Sequence, residues 1–452
     1  MELKDKQVLV FGAGKSGIGA AQLLLDTGAL PIIFEGNKSA DPDAIREKLE
    51  GGEKIPVCTG ELPEDVIEKL DLVVLSPGVP VDLPLVKHLY EKRLPVWSEV
   101  ELAYQVTHGK VMAITGTNGK TTTTALVGKI MSDACPSVFV VGNIGTAYTS
   151  MALQTTEESV TVAEISSFQL ETIEDFHPSV TAILNITPDH LNRHHTMEEY
   201  IRVKELITKN QTKDEVCVLN YEDKVLREFG NTMTPRPFWF SSARELPEGI
   251  FLRDGQIVLH RDGAEEILVK TGDLKLLGTH NFENVMAASA MALAAGVPLD
   301  SIRKSICEFT AVPHRIEYVT EKKGVRYYND SKGTNPDAAI KGIQAMDRPT
   351  WLIGGGYDKD SDYDEWINAF DGKVKCLLLI GQTREKIRDA AFRLGFRDVV
   401  LCENLKEAVE RCGSMAVPGD AVLLSPACAS WGQFDNYEQR GDLFKQYVRE
   451  LQ

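Results

Sequence analysis

The sequence predicts an α/β protein of three domains, each a mostly parallel sheet wound with helices. Two glycine-bearing strand-to-helix turns and one long regular alternation carry that prediction. The first turn is VLVFGAGKSGIGAA, with Gly12, Gly14 and Gly17 in G-x-G-x-x-G spacing. The second is KVMAITGTNGKTTTTALVGKIM, and the alternation runs from VRYYND to the C-terminal helix. At roughly 150 residues per domain, a chain of 452 residues fits three. The expected bounds are 1–108 for a Rossmann-like N-terminal domain, 109–312 for a central P-loop ATPase-type mononucleotide-binding domain, and 313–452 for a C-terminal doubly wound Rossmann-like domain.

Composition narrows the function classes. Hydrophobic residues at 43% and charged residues at 25% are those of a chain that can bury ordinary cores. A formal net charge of −17 argues against nucleic acid or an anionic membrane as partner. No apolar run approaches a membrane span, and the N-terminus enters a strand without a signal-peptide core, so neither insertion nor export is expected. Eight scattered cysteines without a C-x-x-C pair point to reduced thiols in a cytoplasm.

In the first domain QVLVFGAG, GIGAAQLLLDTG, PIIFE, PEDVIEKL, DLVVLSPG and LPVWS alternate strand and helix. Its glycines let backbone N–H groups approach a pyrophosphate at a helix N-terminus. In the second domain Gly116, Thr117, Asn118, Gly119, Lys120, Thr121 and Thr122 form a strand–loop–helix nest for nucleotide phosphates. Lys120 is expected on the β/γ-phosphates and the Thr121 hydroxyl on Mg²⁺, although only two residues separate the glycines where a P-loop has four. The ligand this predicts is ATP.

Glu164 closes the strand TVAE, and His190 follows the strand in ILNITPDH, so both sit where open α/β sheets place ligands. A solvated strand-end carboxylate and a packing histidine remain open alternatives. A zinc pair of His190 with His194 is disfavoured, because cysteines are lacking nearby. In TMEEYIRVKELITK, Thr196 and Glu199 predict a capping box, and Lys204 interrupts the apolar face of Met197, Ile201 and Ile207. Residue physics leaves two readings of Lys204 open, a snorkelling lysine and a desolvated, reactive amine.

These segments together resemble the Mur ligase superfamily, and within it the D-glutamate-adding branch. The resemblance spans the whole chain: GTNGKTT, GNIG, AEISSFQL, the stretch from TPDH to Lys204, GTHNFENVMAA, PHRIE, NDSKGTNPDA, GGGYDKD and SPACASWGQFDNYEQRG. The DNPR signature of the diaminopimelate- or lysine-adding relative is absent. The resemblance implies an ATP-dependent ligase joining D-glutamate to UDP-N-acetylmuramoyl-L-alanine through an acyl phosphate, in a monomer with two Mg²⁺ ions. By position it implies Thr121 and Glu164 on one ion, and His190 with a CO₂-derived carbamate of Lys204 on the other. It places Asn281, Asn284, Arg315 and Asp330 on the nucleotide, and Asn143 on the muramoyl substrate. Lys332, Thr334, Lys359, Ser430 and Tyr437 fall to D-glutamate, two lysines and several hydroxyls suiting an amino acid with two carboxylates.

The resemblance also implies that the opening loop binds a UDP-sugar pyrophosphate. Gly14, Lys15 and Ser16 lie on one side and Ser76, Pro77 and Gly78 on the other, with Glu35 near the uridine. Trp431 and the Tyr357-Asp358 pair depart from the branch pattern and bear on the shape of the glutamate pocket. Three alternatives stand against this reading. Another Mur ligase or a folylpolyglutamate synthase would share the phosphate loop. An NAD(P)-dependent oxidoreductase would leave GTNGKTT unused, and a silent nucleotide-binding regulator would have lost Glu164 or Lys204.

Overall fold

The structure is a computed structural model describing residues 2–143, 146–310 and 312–451, so Ile144 and Gly145 of the GNIG run lie outside the described residues. The chain divides into two compact units, residues 1–268 with 283–305, and residues 269–282 with 306–452.

The first unit holds two sheets. The N-terminal sheet has five parallel strands in the order Val57–Thr59, Leu30–Glu35, Gln7–Phe11, Leu72–Leu75, Val96–Ser98. Its inner strands Gln7–Phe11 and Leu72–Leu75 are buried apolar runs, as parallel strands covered on both faces must be. The strand Gln7–Phe11 lies between Leu30–Glu35 and Leu72–Leu75, so the glycine loop opens where the strand order reverses. The central sheet has nine strands, with Lys110–Thr115 between Val160–Glu164 and Val180–Ile183. The phosphate loop after Lys110–Thr115 therefore also opens at a switch point, beside the end of the Glu164 strand.

Two local expectations change. The far side of the central sheet is an antiparallel extension, Gly249–Arg253 against Gln256–Arg261 with Ala264–Lys270 beyond, which the sequence reading did not anticipate. Around Lys204 the α-helix is shorter than the pattern suggested, running Met197–Glu205 and continuing as a 3₁₀ turn, Leu206–Thr208. Half of its capping box forms. Thr196 accepts from the Glu199 N–H, but the Glu199 carboxylate turns forward to Arg202, at 2.6 and 2.8 Å, because a guanidinium one turn on is the stronger partner.

One fastening of the first unit is polar. Ser98 caps the helix Glu99–Tyr104, whose Glu101 is fully buried. Its carboxylate accepts the backbone N–H groups of Glu174, Asp175 and Phe176 at 2.9–3.0 Å, and Gln105 Nε2 at 2.8 Å. Removing it strands three backbone donors, while Gln105 Nε2 keeps Asp175. Glu101→Ala is expected to cost about 3 kcal/mol of stability, read as a lowered urea midpoint at unchanged slope.

The second unit is built on a six-stranded sheet in the order Glu317–Lys322, Val325–Asn329, Ala421–Leu424, Thr350–Gly354, Val374–Leu379, Val399–Leu401. Only the first of these edge strands is antiparallel. Its two faces pack separate apolar clusters, one around Trp366 and one around Phe444. This is the doubly wound arrangement expected of the last third of the chain.

Candidate functional site

The N-terminal loop is held by contacts that leave no room for a side chain at Gly12 or Gly17, whereas Gly14 faces open space. A Cβ on Gly17 would lie 1.8 Å from the Gly12 carbonyl oxygen, and one on Gly12, at φ +103°, would meet Ser76 Oγ at 2.9 Å. Glu35 accepts the Ala13 N–H at 3.1 Å and the Asn37 N–H at 3.0 Å. The helix Lys15–Asp26 starts with no side-chain cap, and Gly14 and Lys15 are exposed. Gly12, Glu35 and Ser76 thus surround one helix N-terminus, with Ser16, Pro77 and Gly78 in the same two turns.

The second loop is the better furnished. Gly119 sits at φ +87° as the N-cap of the helix Lys120–Ala134, and a Cβ there would come within 2.4 Å of Asn284 Oδ1. The Asn284 side chain accepts from Thr123 Oγ1 at 3.2 Å, so its amide is fixed against the loop. Lys120 Nζ folds back onto the Gly116 and Thr117 carbonyls, at 2.9 and 3.0 Å. Asn118 N–H donates to Asn185 Oδ1 at 2.8 Å, and Thr117 Oγ1 lies 3.1 Å from the Tyr200 hydroxyl. Thr121 is partly buried in the first helical turn and Thr122 is buried.

Lys204 is brought to the same loop. It is 1% exposed, and its Nζ donates to the Gly116 carbonyl at 2.8 Å and lies 3.4 Å from Thr115 Oγ1. It stands 4.8 Å over the Tyr200 ring. Burial, with Lys120 adding to it, lowers its pKa to about 7. This excludes the snorkelling reading and leaves a buried amine, a large part of it neutral near neutral pH.

Glu164 is 2% exposed at its strand end. One carboxylate oxygen meets Asn143 Nδ2 at 3.4 Å; the other is buried without a hydrogen-bond partner. An orphaned buried carboxylate oxygen at a phosphate-binding crevice fits a hard cation, which would satisfy it. His190 is exposed at φ +53° and packs 4.9 Å from the Phe168 ring. His194 turns inward, its Nε2 2.9 Å from Ser167 Oγ, and burial lowers its pKa to about 4. Among the described residues no three His, Cys, Asp or Glu side chains gather as a metal site. A magnesium ion here would need further oxygen ligands beyond these side chains.

In the second unit, Asn281 donates to the Leu277 carbonyl at 2.7 Å. Arg315 is exposed between two residues of left-handed backbone, His314 at φ +65° and Ile316 at φ +46°. Asp330 is buried; it accepts from Ser425 Oγ at 2.7 Å and from the Ile316 N–H at 3.3 Å, and burial raises its pKa to about 7. The residues expected on D-glutamate fall into two groups. Lys332 Nζ stands 5.7 Å over the Tyr437 ring, with Thr334 in the same turn, and Lys359 Nζ stands 4.7 Å over the exposed Trp431, next to the buried Ser430.

Sequence reasoning missed Arg440. It is wholly buried, with Nε 2.9 Å from Ser331 Oγ and its terminal nitrogens donating to the Ser331 and Cys428 carbonyls at 2.8 and 3.1 Å. It ties the turn before Lys332 to the turn before Ser430. Nothing in YEQRG marks it, since arginines are ordinarily exposed.

Comparisons with known proteins agree with this architecture. Three family models match in order: the MurD-like N-terminal domain over residues 6–98, the Mur ligase middle domain over 114–292, and the Mur ligase glutamate ligase domain over 314–428. The chain is 56% identical to UDP-N-acetylmuramoylalanine–D-glutamate ligase of Lachnoclostridium phytofermentans, covering 100% of this chain and 99% of that one. It is 43% identical to the Clostridioides difficile protein of the same name, over all of both chains. Among solved structures, UDP-N-acetylmuramate-alanine ligase of Thermotoga maritima superposes with a TM-score of 0.59 at 18% identity, covering 99% of this chain and 100% of that one. The MurF ligase of the same organism, in complex with ADP, gives 0.57 at 17% identity, covering 99% and 96%. Those structural likenesses establish the shared fold, while the sequence identities reach further: this chain belongs to the Mur ligase family.

Proposed function

We propose that the chain is an ATP-dependent ligase that adds D-glutamate to UDP-N-acetylmuramoyl-L-alanine, releasing ADP and phosphate, in peptidoglycan precursor synthesis. The observation that carries the reading is end-to-end identity of 43–56% to relatives bearing that name. The domain division goes with it: residues 1–108 for the UDP-substrate, 109–312 for ATP and 313–452 for the amino acid. The enzyme is proposed to work as a cytoplasmic monomer. Among the described residues no helix is long and apolar enough to cross a membrane.

A carboxylate is a poor acylating agent, so the γ-phosphoryl group of ATP passes to the alanyl carboxylate. The bond to the β-phosphate oxygen breaks, and an acyl phosphate forms. The D-glutamate amine then attacks the carbonyl carbon, loses a proton, and phosphate leaves. Lys120 swings from its two loop carbonyls to the transferring phosphate, where it balances developing charge. Asn284 is proposed on the adenine and Asn281 as a further nucleotide contact, with Arg315 on the phosphates and Asp330 on the ribose. Asn143 orients the muramoyl substrate beside Glu164. Lys332 and Lys359 take the two carboxylates of D-glutamate, with Thr334, Ser430 and Tyr437 supplying hydroxyls.

Thr121 with Glu164 would hold one Mg²⁺, and His190 with a carbamate on Lys204 the second. Bound there, the ions neutralise phosphate oxygens that would otherwise repel the carboxylate nucleophile. A lysine ammonium has no lone pair to offer a cation. The neutral Lys204 amine adds to CO₂, forming an N–C bond and releasing a proton, and thereby acquires anionic oxygens. A fall in pKa to about 7 favours that addition, because only the neutral amine is nucleophilic.

The test is phosphate release from ATP with UDP-N-acetylmuramoyl-L-alanine in bicarbonate-supplied buffer. D-Glutamate is expected to support release, and L-glutamate and diaminopimelate to support little. Release independent of D-glutamate, or equal for the three amino acids, overturns the assignment.

A further inference from the structure

The segment between His190 and Thr196 makes contacts that the proposed chemistry does not use. His190 and His195 both adopt left-handed backbone, at φ +53° and +66°, enclosing the short turn Leu191–His194. From this turn Arg193 reaches back into the N-terminal sheet's loop. One terminal nitrogen donates both to the Val79 carbonyl at 2.8 Å and to Glu171 at 2.6 Å, with Nε 3.4 Å from the other Glu171 oxygen. The pair is largely buried, the side chains being 10% and 7% exposed. The guanidinium also stacks 4.9 Å over the Phe168 ring, whose ring neighbours are His190 at 4.9 Å and the stacked His194 at 5.5 Å. His195 adds a second, exposed tether to Asp82 at 3.0 Å.

We propose that Arg193 is a positioning residue that joins the turn at residues 76–79 to His190, so that the loop proposed for the UDP-sugar sets the placement of the histidine proposed for the reacting phosphates. The inference rests on the functional reading above. A residue whose only task was to neutralise Glu171 would need neither the Val79 carbonyl nor the Phe168 face. Arg193 engages all three at once, through a planar fork that a lysine cannot reproduce. Val79 directly follows Ser76, Pro77 and Gly78, so a ligand ordering that turn orders the acceptor of the Arg193 bond. The Phe168 ring then transmits the placement to His190 by packing alone.

The experiment compares the full-length protein with Arg193→Lys, and with the double variant Arg193→Leu/Glu171→Leu, which leaves no buried charge unpaired if the single variant folds poorly. Amide hydrogen exchange is followed across residues 187–197 before and after adding UDP-N-acetylmuramoyl-L-alanine alone. In the wild type the substrate is expected to slow exchange there several-fold, and in both variants to slow it little. In turnover, Arg193→Lys is expected to raise the KM for the UDP-substrate and lower kcat, each by about tenfold, with the KM for D-glutamate unchanged. Substrate-independent exchange in the wild type overturns the proposal. So do equal protection in the variants and an equal rise in both KM values. If wild-type protein releases no D-glutamate-dependent phosphate, the functional reading fails instead, and the two failures are distinguishable.

Discussion

Lys204→Met is expected to lower turnover about a thousandfold while the protein stays folded. The side chain is 1% exposed and ends beside the Gly116 carbonyl, so methionine of similar length fills its channel without a charge. If the amine acts as a carbamate, adding a short-chain carboxylic acid to a Lys204→Ala variant should restore part of the rate by occupying the vacated channel. The measurement is steady-state phosphate release with and without the acid. An active Lys204→Met enzyme would remove Lys204 from the mechanism.

The same residue predicts a pH dependence of stability whose sign follows from its pKa. Folded, Lys204 titrates near 7; unfolded, it returns to the ordinary lysine value of 10.5. Between those values the unfolded chain holds the extra proton, so the fold gains stability as pH rises from about 7 to 10.5. Below 7 both states are protonated and the term is flat. Urea titrations in CO₂-free buffer should show wild type gaining on Lys204→Met across that window.

Glu164→Gln is expected to reduce kcat by about a hundredfold and to raise the half-saturating Mg²⁺ concentration about tenfold. The amide keeps the size of the side chain and its contact with Asn143 but removes the charge from an oxygen that has no hydrogen-bond partner. An uncompensated buried carboxylate also destabilises the protein, so the variant should melt higher than wild type in metal-free buffer. Lower activity with higher stability is the signature of a residue kept for its ligand. A variant both less active and less stable would mark Glu164 as structural support.

How much of this was legible in the chain varies with the kind of signal. Glycine loops are legible because the backbone conformation demands the residue: Gly119 at φ +87° tolerates no ordinary substitute, and Gly17 packs against a carbonyl. Strand-end residues such as Glu164 are legible because parallel sheets aim them at one crevice. Lys204 interrupted an apolar face, and periodicity alone could not tell snorkelling from burial; the Gly116 contact, 88 residues away in sequence, decided it. Arg193 and Arg440 gave no local signal. Each is held by backbone carbonyls distant in the chain, and such partners leave no residue-type signature. The antiparallel strands at 249–270 were missed for a related reason, since they are short, follow another strand at Arg236–Ser241, and carry no clear alternation.

The grip of Asn284 on the phosphate loop bears on how the protein is made. Thr123 and Asn284 are separated by 161 residues, and the helix that carries Asn284 returns to the first unit after the chain has visited the second at 269–282. A ribosome that has released the phosphate loop must therefore continue through most of the central sheet before the loop acquires its asparagine. Until then the nascent loop has its glycines and Lys120 but lacks the side chain that packs against Gly119 and bonds Thr123. The bond that fixes this loop therefore forms only after the helix carrying Asn284 has been made, which sets the loop's ordering late in vectorial folding.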